Sequence, residues 1–228
     1  MEDQSDADLS SSDRVVEHIN SAILGGRYVP GQRLVEADLT HTLRVSRGPV
    51  REAFRRLDAL GVLARTMHRG ASVRTLDRIE SLDLLIATEP LSALATRLAA
   101  ERFATRPKGF DAARFERELK PFRDREEDSR NLLSQRQHFY DVLVEISGNS
   151  QLPSMMPTMR IHLLRTQIQS FLDAEDRRRH LDDYANIAKA ILQGDAKVAE
   201  KALSAHLKRA RQVVMDLPAE AFPRPADD

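Results

Sequence analysis

A long series of helical hydrophobic patterns fills the chain after Leu76 and limits the folds that are open to it. Within the first of these patterns, Leu84 and Leu91 recur at the spacing of one buried helix face. Short polar breaks such as Gly148-Asn149 separate the patterns. The predicted helices lie near residues 77–104, 110–128, 130–147, 151–172, 175–193 and 195–216. Six helices with short connections predict an all-α antiparallel bundle, so the expected fold class is mostly α.

The segment before Leu76 holds shorter elements between glycine-containing turns. A helix is predicted from about Arg14 to Leu24 and ends at Gly25-Gly26. Further helices fit residues 36–43 and 46–60, an extended piece fits 32–34, and strands fit 62–64 and 71–73 around a turn at 68–70. Three helices followed by a small β-hairpin wing are the order of a winged helix-turn-helix.

These patterns divide the chain into four parts. We expect residues 1–12 to form a disordered acidic tail and residues 13–76 to form the winged helix-turn-helix. Residues 77–217 are predicted to be the helical domain, which would bind an effector and dimerise. Residues 218–228 are predicted to be a flexible C-terminal tail, since prolines recur in them.

The net charge of zero hides an uneven distribution along the chain. Residues 1–12 carry four acids and no base. Residues 13–76 carry eleven arginines against six acids. Positive charge concentrated in one compact segment is typical of a nucleic-acid-binding module, although a solvated basic face has the same composition.

Several protein classes are excluded by what the sequence lacks. There is no cysteine for a disulfide or a Cys-based zinc site, and no apolar stretch approaches the roughly 20 residues that span a bilayer. The acidic N-terminus differs from a signal peptide, so we expect a cytoplasmic protein. We also see no serine elbow, phosphate-binding glycine loop or cysteine nucleophile, and we expect no enzymatic activity.

The third predicted helix begins with five residues suited to reading DNA: Ser46, Arg47, Gly48, Pro49 and Arg51. The N-terminal residues of such a helix reach base edges in the major groove. Arg47 and Arg51 share a helix face, and a guanidinium donates two hydrogen bonds to guanine. The Ser46 hydroxyl is expected to cap the helix. The alternative for each arginine is a solvated or ion-paired surface side chain.

At the tip of the predicted hairpin, Arg69 is placed to enter the minor groove or to contact a phosphate. One helix-turn-helix reads only a few base pairs. We therefore expect a homodimer that matches a two-fold symmetric site in double-stranded operator DNA.

Four runs in the first 75 residues resemble the DNA-binding domain of GntR-type bacterial regulators: Arg33–Leu39, Val45–Leu57, Gly61–Leu63 and Arg69–Ala71. The resemblance implies a sequence-specific transcription regulator, most often a repressor. It also implies base and phosphate contacts at Ser46, Arg47, Gly48, Pro49, Arg51, Arg69 and Gly70. Ala37 is a departure, because fatty-acid-responsive members carry an arginine there on the second helix.

The second half of the chain resembles the FCD effector domain of the FadR branch, through residues 98–102, 139–149, 187–195 and 206–207. The resemblance implies a small-molecule effector and, in many members, a divalent metal held by one aspartate and three histidines. Here Arg136 stands at the aspartate position, Tyr140 and Tyr184 stand at two histidine positions, and His206 is retained. An arginine repels a cation, so we expect no metal and no other cofactor.

The four residues at these positions leave two interpretations open. A guanidinium, two phenols and an imidazole can bind the carboxylate or phosphate of a small organic acid. Alternatively, the tyrosines fill a core and Arg136 pairs with a local acid. A regulator that uses a divalent metal, and a metal-dependent hydrolase on the helical bundle, are the remaining alternatives.

Overall fold

The computed structural model describes residues 10–66, 70–124 and 132–223. Its N-terminal elements are α1 (Ser11–Leu24), β1 (Arg33–Val35), α2 (Glu36–Leu43), α3 (Arg47–Ala59), β2 (Leu63–Thr66) and β3 (Gly70–Val73). The helices that follow are α4 (Arg78–Thr105), α5 (Ala112–Arg123), α6 (Leu132–Ser147), α7 (Leu152–Met155), α8 (Thr158–Ile168), α9 (Ala174–Leu192) and α10 (Ala196–Asp216). The predicted mostly-α fold with a small β-sheet is confirmed.

Helix α1 begins at Ser11, three residues before the predicted start. The Ser10 hydroxyl accepts a hydrogen bond from the Asp13 amide, and the Asp13 carboxylate accepts one from the Ser10 amide. This reciprocal capping satisfies two backbone donors that a helix start otherwise leaves free. Residues 10–12, predicted to belong to the acidic tail, are therefore the start of a helix, and residues 1–9 lie outside the described part of the chain.

The three strands form one antiparallel sheet in the order β1-β3-β2. Arg33 lies opposite Ser72, and Leu63 lies opposite Val73. The predicted extended piece at 32–34 is thus the third strand of the wing, beside the predicted hairpin. The tip of that hairpin, residues 67–69, lies outside the described residues.

Helix α2 buries an acidic residue at its start. Glu36 and Leu39 are buried, whereas Ala37 is exposed. Arg44 ends the helix in the left-handed conformation, with φ 51°. The chain thereby reverses direction and α3 packs across α2.

The long helix α4 is the centre of the helical domain. Asp77 and Glu80 form a capping box at its start, and the helix packs against α6, α8, α9 and α10. Pro90 lies inside it but on the exposed side. Water can therefore hydrogen-bond the carbonyl that the missing proline N–H leaves free, and the helix continues through this position.

The fourth predicted helix, 151–172, is in fact two helices, α7 and α8, followed by a single 3-10 turn at Gln169–Phe171. Proline disfavours a helical conformation in the residue before it, and Met156, which precedes Pro157, is extended with φ −75° and ψ 123°. Among the described residues the bundle therefore has seven α-helices instead of six. Helix α5 ends at Arg123 instead of 128, and residues 125–131 lie outside the described residues.

The turn between α9 and α10 depends on Gly194. Its φ is 72°, a conformation that side chains disfavour, and a Cβ there would lie 2.8 Å from the Ala104 Cβ. Asp195 then accepts a hydrogen bond from the Val198 amide and starts α10. The glycine therefore allows the turn to contact the end of α4 closely.

Two hydrophobic clusters form the interior. One lies within the bundle and includes Phe139, Leu143 and Tyr184. The other joins the N-terminal helices and the wing to α4, α8 and α10. At this junction the His162 ring on α8 is buried, with Nε2 3.3 Å from the Ile23 carbonyl oxygen on α1. The N-terminal half and the helical half therefore share one packed interior.

The segment Pro218–Pro223, predicted to be flexible, is packed instead. Ala221 and Phe222 are buried, and the Arg78 guanidinium lies 4.9 Å from the centre of the Phe222 ring. Arg78 also donates to the Val214, Met215 and Leu217 carbonyls at the end of α10. These carbonyls lack helical partners, so the guanidinium both satisfies them and fixes the C-terminal segment.

Gln167 on α8 bonds the same C-terminal segment to residues 74–77 between β3 and α4, which we call the interdomain connection. Its amide nitrogen donates to the carbonyls of Leu76 and Ala221, at 2.8 and 2.9 Å, and its amide oxygen accepts from the Leu76 backbone N–H at 2.9 Å. Leu76, which precedes the Asp77 cap of α4, and the C-terminal segment are thus held by one side chain. Across the described ranges, no helix has the length and apolar character needed to cross a membrane.

Candidate DNA-binding surface and candidate effector cavity

The start of α3 is exposed and free of negative charge. Ser46 takes the N-cap position with φ −74° and ψ 168°, but its hydroxyl makes no capping hydrogen bond within the described residues, contrary to expectation. No acid lies in the first turn of α3. The free backbone amides and the helix dipole there favour an anion, such as a DNA phosphate.

Arg47 and Gly48, next along α3, are both exposed. Arg47 forms no ion pair or hydrogen bond within the parts of the chain that are described. A Cβ on Gly48 would meet no atom within 4 Å. Glycine costs a helix about 1 kcal/mol relative to alanine, and nothing inside the described protein requires it at this position. Close approach by an external partner would require it. Pro49 is half-buried, in the first helical turn where its missing N–H costs nothing.

Arg51 is held by an acid that the sequence analysis did not single out. The Arg51 Nε donates to the Glu36 carboxylate at 3.0 Å, while half of the Arg51 side chain stays exposed. Glu36 is nearly buried at the start of α2. Because the bond uses Nε, it leaves the two terminal nitrogens of Arg51 unpaired. The interpretation of Arg51 as an ion-paired residue and its interpretation as a base reader are therefore compatible.

The two remaining predicted contacts lie at the wing. Gly70 begins β3, is buried, and lies opposite both Val35 and Thr66 in the sheet. Arg69, directly before it, lies outside the described residues.

The four residues predicted to line an effector site do converge in the helical domain. Arg136 and Tyr140 lie on α6, Tyr184 on α9 and His206 on α10, and all four are buried. The Tyr184 ring centre lies 6.4 Å from that of Tyr140 and 5.1 Å from that of His206. The four side chains therefore lie close together in the helical domain, whichever function they serve.

Arg136 is the unusual member of this group. It is 2% exposed, yet its Nε and Nη2 have no hydrogen-bond partner among the described residues, and the buried Tyr140 hydroxyl has none either. Burial lowers the pKa of Arg136, with the positive charge of Arg165 among the further causes. The expected alternative, a pairing of Arg136 with a local acid, is not found in the described chain.

A second guanidinium, which the sequence analysis missed, enters the cavity from α8. The Arg165 Cζ lies 4.9 Å from the Tyr140 ring centre, and its Nη2 donates to the Tyr184 hydroxyl at 3.4 Å. Nothing in the sequence marks Arg165, because the hydrophobic pattern of α8 does not indicate which of its arginines points inward. Only the packing of α8 against α6 brings it beside Arg136.

The carboxylate of Asp183 lies beside this group and forms hydrogen bonds with His206 and Arg209. Asp183 is buried, and its carboxylate accepts from His206 Nδ1 at 3.0 Å and from Arg209 Nε at 3.1 Å. Although burial acts to raise it, these hydrogen bonds hold the pKa of Asp183 below its usual range. Asp183 is therefore ionised at neutral pH and orients His206, and it does not neutralise Arg136.

Two neighbouring spaces lie beside these side chains. An inner cavity of about 30 Å³ is lined by Arg136, Arg165, His180 and His206 together with aliphatic side chains. An outer pocket of about 380 Å³ lies between α9, α10 and the C-terminal segment, and it shares His180 and His206 with the inner cavity. The two histidines thus form the boundary between a small cationic space and a larger, more open one.

These residues do not fit a divalent metal. Two guanidiniums lie in the inner cavity, and the buried Arg136 lies where a metal-binding member would place its carboxylate. Over the described residues, no group of three His, Cys, Asp or Glu side chains is arranged to hold an ion.

Comparisons with known proteins identify both halves of the chain. Residues 11–73 match the bacterial regulatory proteins of the gntR family, and residues 84–209 match the FCD domain. A probable D-xylose utilization operon transcriptional repressor of Paenarthrobacter nicotinovorans is 29% identical over 202 residues, which cover 85% of this chain and 84% of that protein. The Nta operon transcriptional regulator of Aminobacter aminovorans is 27% identical over 196 residues, covering 82% and 87%.

Solved structures agree with the fold. E. coli McbR/YncC superposes with a TM-score of 0.74 at 18% identity, over 91% of this chain and 98% of that one. A GntR regulator from Rhodococcus sp. RHA1 gives 0.71 at 24% identity, over the same fractions. The residues that match the two family descriptions include the start of α3, the three-stranded wing and most of the helical domain. The chain is therefore a member of the GntR family of transcriptional regulators and carries an FCD domain.

Proposed function

We propose that this regulator is a homodimeric repressor whose release from operator DNA is controlled by a small anionic metabolite bound among Arg136, Tyr140, Tyr184 and His206. The observation that carries the proposal is the buried Arg136 guanidinium with two unpartnered nitrogens. A buried donor without a partner costs about 1–3 kcal/mol, and more when it is charged. A ligand that supplies the acceptor removes this cost.

The DNA-reading role rests on α3. Arg47 and Arg51 are proposed to contact bases, while Ser46, Gly48 and Pro49 let the backbone amides approach a phosphate. The arginines are the residues for sequence discrimination because both have free terminal nitrogens within the described structure.

The wing supplies the other proposed contact. Gly70 is the buried first residue of β3, so Arg69 directly precedes the central strand of the wing and is proposed to reach the minor groove or a phosphate. A relative that covers most of this chain is named a repressor, which supports the same sign of regulation here.

Dimerisation is proposed to involve the outer face of α4. Ile79 and Ile86 lie seven residues apart on one face and are 72% and 56% exposed. Exposed aliphatic side chains in such a row favour contact with a second copy. A sedimentation result showing a 25.8 kDa monomer on DNA would exclude the dimer.

Signal transfer is proposed to pass through the C-terminal segment. Leu217 and Pro218 line the outer pocket, and the same segment is bonded through Gln167 to Leu76, where we propose that the DNA-binding domain ends. A ligand in the outer pocket would thus contact the start of the C-terminal segment, and Gln167 bonds that segment to the interdomain connection. Binding regulates DNA affinity if the ligand prefers one of the two domain arrangements.

The test of the DNA role is direct. Operator fragments are selected from genomic DNA, and their affinity is compared with that of random DNA across a salt series by fluorescence anisotropy. We expect the operator to bind at least about a thousandfold more tightly than random DNA. Equal affinity for both would reject a sequence-specific regulator.

The effector role is tested with acetate, succinate, citrate and methyl phosphate added to the operator complex. We expect at least one of them to release wild-type protein, and none to release Arg136→Met. Arg178→Met is the matched control, because Arg178 is exposed on α9 and does not line the cavity. An Arg136→Met variant that responds as wild type does would move the effector site elsewhere.

A further inference from the structure

The inner cavity is lined by two guanidinium groups and by no carboxylate of the described residues. Arg136 enters from α6 and Arg165 from α8, and both line the same small space. The hydrogen-bond partner of Arg165 in the described residues is the Tyr184 hydroxyl, a neutral group. Neither arginine forms an ion pair with a carboxylate in the described ranges.

Neighbouring groups do not supply the missing negative charge. Asp183 is bonded to His206 and Arg209. Burial lowers the pKa of His180 to about 3 and also lowers that of His206, so both rings are neutral at pH 7. Arg177, which donates to the Leu172 carbonyl, adds a further positive charge near Arg136. Two positive charges therefore face the cavity with no anion of the described protein beside them.

The shape of the space limits how a ligand is placed. The inner cavity of about 30 Å³ has room for about two water molecules, so only a compact group enters it without side-chain movement. The outer pocket of about 380 Å³ is large enough for the rest of a small metabolite. Because His180 and His206 line both spaces, a ligand that occupied both would lie beside these two rings.

We propose that the site recognises a doubly charged anion, with its charged head between Arg136 and Arg165 and its body in the outer pocket. This rests on the proposed anionic effector and adds its charge and orientation. A guanidinium presents a planar fork of donors that pairs with two oxygens of a carboxylate or phosphate. Two such forks in one cavity match two negative charges better than one. A phosphate monoester and a dicarboxylate share this chemistry.

The experiment compares matched pairs of anions by calorimetry on the full-length protein without DNA. Methyl phosphate is paired with dimethyl phosphate, and succinate with its monoamide, so that each pair differs by one negative charge. We expect the dianion of at least one pair to bind wild type tenfold or more tightly than its monoanion. The pair that shows the difference identifies the head as a phosphate ester or a dicarboxylate.

The Arg165→Met variant tests the second guanidinium. It should lose most of the preference for the dianion, Arg165→Lys should keep part of it, and the surface control Arg178→Met should keep all of it. Thermal unfolding of each variant, measured without ligand, shows that loss of binding is not loss of folding. An Arg165→Met protein that still prefers the dianion tenfold overturns the proposal.

The outcomes separate this inference from the proposed function. If monoanions bind as tightly as their dianions, and Arg136→Met abolishes both, the double charge is rejected while an anionic effector stands. If none of the four compounds binds wild type, the anionic effector is rejected together with its charge. In that case the DNA-reading role still stands on its own test.

Discussion

The two candidate sites both present unpaired arginines, but one site is exposed and the other is buried. At the start of α3, Arg47 lies in solvent, where water satisfies its donors at no cost to folding. In the helical domain, Arg136 is excluded from water and two of its nitrogens have no partner in the described protein. The same side chain is therefore neutral for stability in one region and destabilising in the other.

This difference indicates how each site is used. The candidate DNA-binding surface does not destabilise the DNA-free protein, since water hydrates the Arg47 side chain there. The unpaired buried guanidinium destabilises the empty cavity, and the proposed ligand would remove this cost, so the occupied and empty states would differ in free energy. Such a difference is what a regulatory site needs in order to change the behaviour of the rest of the molecule.

The largest expected effect is on DNA recognition by α3. Arg47→Ala or Arg51→Ala should lose about 1–3 kcal/mol of discrimination at one base position of each half-site. For Arg47→Ala, which breaks no contact within the described residues, the free energy of unfolding should change by less than about 0.5 kcal/mol. Binding to a set of singly substituted operators measures the discrimination. If both variants discriminate as wild type does, α3 is not the reading helix.

The buried arginine should show the opposite behaviour. Replacing Arg136 with methionine removes an unpaired buried charge, so the ligand-free protein should become more stable by about 1–2 kcal/mol. Urea unfolding in an anion-poor buffer measures the change, with Arg178→Met as a surface control that should be neutral. A destabilised Arg136→Met protein would mean that the guanidinium has partners and would remove the contrast between the two regions.

Acid should destabilise the helical domain through His180. Burial lowers its pKa to about 3, with His206 and Arg136 adding to the effect. The unfolded chain takes up a proton below about pH 6.5 while the folded protein does not, so stability is constant above that pH and falls between about 6.5 and 3. We expect about 1 kcal/mol to be lost between pH 7.5 and 5.5.

Thermal unfolding across this pH range measures the slope, and His180→Gln should reduce it. The slope will not vanish, because burial also lowers the pKa of His206 and of His162 at the junction of the two halves. An unchanged slope in His180→Gln would assign the acid sensitivity to the other histidines whose pKa burial lowers, His206, His162 and His18.

The smallest expected effect concerns the orientation of Arg51. Glu36→Gln weakens the bond to Arg51 Nε without changing its shape. Exposed ion pairs contribute about 0.2–1 kcal/mol, so discrimination at the base read by Arg51 should fall about twofold. Affinity for random DNA should rise slightly, because a negative charge near the phosphates is removed. No loss of discrimination would show that Arg51 needs no support from Glu36.

Much of the fold was predictable because it depends on local patterns. Hydrophobic spacing placed the helices within a few residues, except where Pro157 divides α7 from α8. The helix predictions succeed because periodicity and spacing along one element determine which face is buried. The convergence of Arg136, Tyr140, Tyr184 and His206 was implied instead by the resemblance to the FCD domain, in which these four positions hold one metal.

The unpredicted features all join residues far apart in sequence. Arg51 meets Glu36 across the turn between α2 and α3, and Arg165 reaches Arg136 from another helix. The packing of Phe222 under Arg78 joins the two ends of the helical domain. A sequence pattern contains no information on which of many charged side chains will meet across such distances.

The sequence by itself determined the class of the protein, its two-part organisation and the residues at the start of α3 that we propose to face DNA. Only the tertiary structure decided that the cavity contains two guanidiniums with no carboxylate paired to either in the described chain, and that the C-terminal segment is packed against the interdomain connection. The physical reason is that local backbone preferences act over a few residues. The charge balance of a buried site is instead the sum over every helix that contributes a side chain to it.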